Sequence, residues 1–144
     1  MNITFSLIKP DSMKSCEEIL AAIKAGGFSV VAMRTEMLSK KQVEQFYKEH
    51  ADKSFFNTMC ERLASGVVLL IALHRIDGSE APLNFRKLLG ATNPKDAAPG
   101  TLRAQFGEDL DRNAIHGSDS RESAIRELSL FFPGIQTGID LDDV

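Results

Sequence analysis

The run Asn113-Ala114-Ile115-His116-Gly117-Ser118-Asp119-Ser120 sets a histidine, a glycine and several small hydroxyl and acid side chains directly ahead of a predicted helix. Imidazole near neutral pH keeps an unprotonated ring nitrogen, which gives His116 the chemistry of a nucleophile. Gly117 leaves room for a reacting group, and the free N–H groups of a helix start favour an anion. Acceptance of a phosphoryl group is the chemistry these residues suit. The plainer alternative is a surface or satisfied core histidine, with Ser118 only capping the helix. Glu127 lies at the flank of the last helix's apolar stripe, and helical side chains lean toward the N-terminus. It either reaches back to His116 or is an ordinary exposed acid. His50 and His74 lack such a cluster and read as helix-end and strand-end polar groups.

A phosphate needs positive charge and geometry from elsewhere. No G-x-x-x-x-G-K-[ST] motif and no glycine-rich dinucleotide fingerprint occurs, so side chains rather than backbone cradles must hold it. The candidates are Lys9, Arg86 and Arg103 for charge, with Thr92 and Asn113 for geometry. Each cation taken alone is a weak signal, since surface Lys and Arg usually form a solvated face. Tyr47, the single tyrosine, serves either the site or packing. Phe55 falls off the apolar stripe of its helix and is free either to stack on a base or to rest on the surface. The net charge of −3 gives no general attraction to nucleic acid or to an anionic membrane.

The elements that must position these groups are legible from periodicity. Ile3 to Ile8 reads as a buried strand ended by Lys9-Pro10-Asp11, which puts Lys9 at its C-terminal end. Cys16, Ile19, Leu20 and Ile23 have helical spacing, Gly26-Gly27 stop that helix, and Phe28 to Met37 is a strand. Ser39 and Gln42 form a predicted capping box, with Leu38 against Val43 as a staple, for a helix running to about His50 or Ala51. A second helix from Ser54 shows Phe56, Met59, Cys60 and Leu63 on one face. Val67 to Leu73 is a strand and Leu83 to Leu89 a short helix. Gly90 to Arg112 is studded with glycine and proline and reads as a long functional loop. The last helix starts near Asp119, with Glu122 as capping-box partner and Ala124, Leu128, Phe131 and Phe132 inward. Pro133-Gly134 stops it, and the acidic tail Asp140 to Val144 is expected to fray.

This order predicts an α+β fold, a ferredoxin-like split βαβ with inserted helices, its antiparallel sheet covered by helices on one face. The 144 residues suit one domain spanning 1–144. Cys16 and Cys60 form no CxxC and read as free buried thiols in a reducing compartment. With no leader-like or membrane-spanning segment, the expected location is cytoplasmic.

Ile8-Lys9-Pro10-Asp11, Phe46-Tyr47 with Phe55-Phe56, Leu89-Gly90-Ala91-Thr92-Asn93-Pro94, Pro99-Gly100-Thr101-Leu102-Arg103 and the run at 113–120 together resemble the motifs of nucleoside diphosphate kinases, in the family's order. The resemblance covers nearly the whole chain. It implies transfer of the γ-phosphate of ATP, or of another nucleoside triphosphate, to nucleoside diphosphates by a ping-pong route through phosphohistidine at His116. It implies Lys9, Tyr47, Arg86, Thr92, Arg103 and Asn113 around the phosphates and sugar. Phe55 would stack on the base with Leu110 on its other side, while Glu127 and Ser118 orient the reacting groups. It implies Mg²⁺ carried by the nucleotide phosphates with no metal ligands from the protein, and a homo-oligomer, tetramer or hexamer, with no specific nucleic acid or membrane partner. Ser12-Met13-Lys14-Ser15-Cys16 departs from the family's glycine-containing turn, and His74 to Pro82 replaces a shorter family segment. The competing reading is a nucleotide-binding regulatory module of the same fold without turnover.

Overall fold

A computed structural model of the chain describes residues 1–135. The strands are β1 (Ile3–Ile8), β2 (Phe28–Met37), β3 (Val67–Arg75) and β4 (Ile115–Gly117). They form one antiparallel sheet of order β2-β3-β1-β4, the ferredoxin-like α+β arrangement. β1 and β2 are joined through helix α1 (Cys16–Ala25) yet are separated in the sheet by β3. This is the split βαβ expected from the sequence. The remaining helices are α2 (Lys40–Phe46), α3 (Phe56–Leu63), α4 (Ala81–Leu89), α5 (Leu102–Phe106) and α6 (Arg121–Phe131).

Helices cover both faces of the sheet rather than one. In β1, Ile3, Phe5 and Leu7 enter a core with residues of α2, α3 and α6, while Ile8 joins a second core with α1, α4 and α5. Alternate residues of β3 divide in the same way: Val68, Leu70 and Ala72 against Leu69, Ile71 and Leu73. A strand whose two faces are both buried reads as a continuous run, and β1 is buried at every position. In β2 a bulge between Val30 and Ala32 switches faces, so Val30 packs on the second core and Ala32 on the first.

The predicted caps form in part. Ser39 accepts from the Gln42 N–H while Gln42 bonds back to the Ser39 N–H, completing the capping box. α2 nevertheless stops at Phe46, and the chain tightens into a 3₁₀ turn over Lys48–His50. At α6 the cap is Ser120, bonded to the Ser123 N–H, and the Asp119 carboxylate accepts from the Ser123 hydroxyl; this replaces the expected Asp119–Glu122 box. The stretch expected to be irregular holds a 3₁₀ turn at Pro94–Asp96 and α5, which Thr101 caps and Leu102 anchors in the second core. Residues 10–15, where the family turn is missing, form a 3₁₀ helix. Both cysteines are free, Cys60 buried and Cys16 only partly so. The tail Asp140 to Val144 lies outside the described residues.

Candidate active site

β4 is three residues long and depends on β1. Leu7 pairs with His116 and Ile8 with Ile115, and the Ser6 hydroxyl donates to the His116 carbonyl at 2.9 Å. Residues paired across a sheet share a face, so His116 projects with Leu7 toward the core of α2, α3 and α6. Immediately before β4 the Ile115 N–H donates to the Asn113 carbonyl at 2.9 Å around Ala114, whose φ is 77°. This γ-turn holds a residue with a Cβ in a costly conformation beside the histidine.

The imidazole is gripped from several sides. Its Nε2 lies 2.7 Å from Glu127 Oε1, and the Ser118 hydroxyl donates to the same oxygen at 2.8 Å. Glu127 is 3% exposed although it is an acid, so the leaning geometry seen in the sequence is realised and the exposed alternative is not. Ser118 is fully buried and takes no part in capping α6. The edge-on ring of Phe46 stands 4.8 Å from the imidazole. A carboxylate only accepts, so neutral His116 carries its proton on Nε2 and presents a lone pair at Nδ1. Gly117 serves packing on the other face: a Cβ there would meet Phe85 and Leu89 of α4 at 2.7 Å.

The cations converge on this strand from distant sequence. Lys9 donates to Asn113 Oδ1 at 2.7 Å, and Asn113 donates on to the Thr92 carbonyl at 3.1 Å. Arg103, only 5% exposed, ties the Gly90 carbonyl to that of Ile115, while its Nε is buried without a partner. Burial, and then the charge of Arg103, push Lys9 down to about 8, although Asp11 and Asp111 oppose this. Burial and then Arg86 push Arg103 down to about 10. Like charges desolvated together cost free energy that an anion relieves, and a phosphate is such an anion. Burial also raises the Tyr47 hydroxyl well above its ordinary range, so it remains a proton donor beside Glu127.

Phe55, 51% exposed, flanks the start of α3, and Leu110, 56% exposed, sits on the loop before β4. An Arg62–Asp111 contact of 3.9 Å links the two segments that carry them. Arg86 stands half-buried near the end of α4, and the Thr92 side chain is exposed. Three neighbours escaped the sequence reading. His50, taken as a helix-end group, lines the same cavity as His116, and so does Arg126. The 3₁₀ turn that carries His50 there left no periodic signal, and Arg126 adjoins Glu127 at a spacing that helical periodicity assigns to another face. Phe46 belongs to the Phe46-Tyr47 motif, which assigns it no place beside the histidine.

The antiparallel sheet thus presents a carboxylate-oriented histidine near Lys9 and Arg103, two desolvated cations of the kind that suit a phosphate. The family profile described as Nucleoside diphosphate kinase matches residues 2–137. A nucleoside diphosphate kinase of Desulfovibrio desulfuricans is 44% identical over 138 residues, 94% of this chain and 97% of that relative. One from Bdellovibrio bacteriovorus is 44% identical over 131 residues, covering 90% and 91%. Among solved structures, the apo enzyme of Encephalitozoon cuniculi superposes with a TM-score of 0.87 at 32% identity, covering 99% of this chain and 97% of that one. The Halobacterium salinarum enzyme in complex with CDP gives a TM-score of 0.84 at 33% identity, covering 92% and 88%. The chain belongs to the nucleoside diphosphate kinase family.

Proposed function

We propose that the chain is a nucleoside diphosphate kinase whose phosphoryl carrier is His116. The Nδ1 lone pair attacks the γ-phosphorus of a nucleoside triphosphate, the N–P bond forms, and the bond to the β,γ-bridging oxygen breaks to release a nucleoside diphosphate. A second nucleoside diphosphate then attacks through a terminal β-phosphate oxygen, the N–P bond breaks, and the neutral imidazole returns. The observation that carries this reading is the Nε2 contact with Glu127 at 2.7 Å, which leaves the other ring nitrogen to react. Lys9, Arg86 and Arg103 would offset charge on the transferring phosphoryl group, and Tyr47 would donate its proton to a phosphate oxygen. Asn113 and Thr92 would align phosphate and sugar, and Ser118 with Glu127 would keep the imidazole oriented.

Phe55 and Leu110 would hold the base between them by stacking, which every base accepts through its π-face. Mg²⁺ enters as part of the nucleotide substrate, coordinated by phosphate oxygens, and offsets their charge. The regulatory module without turnover is not favoured, because the relatives are named as kinases over nearly their whole length. A homo-oligomer accords with the edge strand β2, where Val31, Met33 and Met37 are exposed; sedimentation of a monomer at working concentration would refute it. A cytoplasmic setting accords with the two free cysteines.

Initial rates test the mechanism. With ATP and a second nucleoside diphosphate varied together, double-reciprocal lines should be parallel, as a ping-pong route requires. Intersecting lines would mean direct transfer in a ternary complex.

A further inference from the structure

A small cavity of about 60 Å³ opens beside the imidazole, lined among others by His116, Glu127, Glu49, His50, Asp119 and Arg126. Arg126 is the one permanently charged cation in that lining. Its Nη2 lies 3.3 Å from Glu49 Oε1 and 3.6 Å from Glu127 Oε2, and its Nη groups donate to the Gln45 and Phe46 carbonyls at 3.4 Å. Its Nε is buried and makes no hydrogen bond. One guanidinium is thus divided between an exposed acid, the carbonyl end of α2, and the buried acid that holds the histidine. No contact is shorter than 3.3 Å, so its influence on Glu127 is mainly one of charge.

We propose that Arg126 is a positioning residue for phosphoryl transfer: by offsetting the charge of Glu127 it sets the pH above which His116 is a free nucleophile. This rests on the reading of His116 as the nucleophile. Without the guanidinium the full field of Glu127 falls on the imidazole, favours the cation, and moves loss of activity to higher pH. The other groups facing the pair are Tyr47, Glu49 and His50 from the segment after α2, and Asp119 from the turn before α6. Asp119 itself feels Arg86 and His116. Glu49 competes with Glu127 for the same guanidinium, so removing its charge should act in the opposite sense.

The test measures the rate of His116 phosphorylation by MgATP against pH, and the imidazole titration by NMR without nucleotide, in the full chain and in R126M, R126K and E49Q. In R126M the acid limb and the NMR midpoint should both rise by about one pH unit. R126K should return both close to the parent values, and E49Q should lower both by a few tenths because Glu49 is half exposed. A lowered melting temperature in R126M with limb and midpoint unmoved, or equal shifts in R126M and R126K, would overturn the proposal. So would an unmoved midpoint in E49Q, a surface change that needs no refolding of the core. The NMR midpoint reports on Arg126 even if His116 takes no phosphate, so the two readings fail separately.

Discussion

Lys9 shows how much of the site's chemistry rests on where a single charge is kept. Its amine is driven down to about 8 from an ordinary 10.5 by burial and by Arg103. A depressed lysine destabilises the folded chain while both states are protonated, below about pH 8. That cost fades as pH rises toward the ordinary value, because the unfolded chain still binds a proton that the folded one has shed. An incoming phosphate reverses the balance and draws the proton back. Nucleotide binding at about pH 8.5 should therefore take up protons through Lys9, and affinity should weaken as pH climbs through that region. Titration calorimetry in two buffers of different ionisation heat measures the uptake; no difference between Lys9→Met and the parent chain would refute it.

At the scale of elements, β4 is the critical piece, because three residues carry the histidine and depend on β1, α4 and α6 for their place. Gly117 packs so tightly on α4 that a methyl group there meets Phe85 and Leu89 at 2.7 Å. Gly117→Ala should cost about 1–3 kcal/mol of stability and reduce phosphorylation by displacing His116, readable by denaturant unfolding and by initial rate. A variant of unchanged stability and rate would show that β4 has slack. The boundaries of β1, α1 and β2 were legible because stop signals such as Lys9-Pro10-Asp11 and Gly26-Gly27 are local, as is the Ser39–Gln42 box. The bulge at Val31, the γ-turn at Ala114 and the 3₁₀ turn at 48–50 were not. These depend on register against β3, on the tie from Arg103 to Ile115, and on contacts with α6, none of which leaves a local pattern. The site divides in the same way: the motifs marked Lys9, Arg103 and His116, whereas Arg126, and the packing of Phe46 on the imidazole, became visible only when α2 and α6 were seen side by side.

Across the whole molecule, two cores on opposite faces of one thin sheet fix the distance between the helices that carry the site. Leu70 and Leu73 belong to the same strand yet to different cores. Leu70→Ala should cost about 2–5 kcal/mol by leaving a cavity under α2, α3 and α6. Thermal or denaturant unfolding measures this, and a loss below about 1 kcal/mol would mean that this face repacks freely. Convergence is also a property of the whole chain, since Lys9 and Asn113 are joined at 2.7 Å across 104 positions of sequence. In a chain of net charge −3, Lys9 and Arg103 are desolvated side by side next to β4. If His116 carries the phosphoryl group between two nucleotides, labelled phosphate must pass through it. The most direct measurement is incubation with γ-labelled MgATP, removal of nucleotide, and a chase with several nucleoside diphosphates. Acid-labile, base-stable label should appear on the protein, be absent from His116→Ala, and pass to each acceptor as labelled triphosphate. Label that survives acid, persists in His116→Ala, or stays on the protein through the chase would contradict this role of His116.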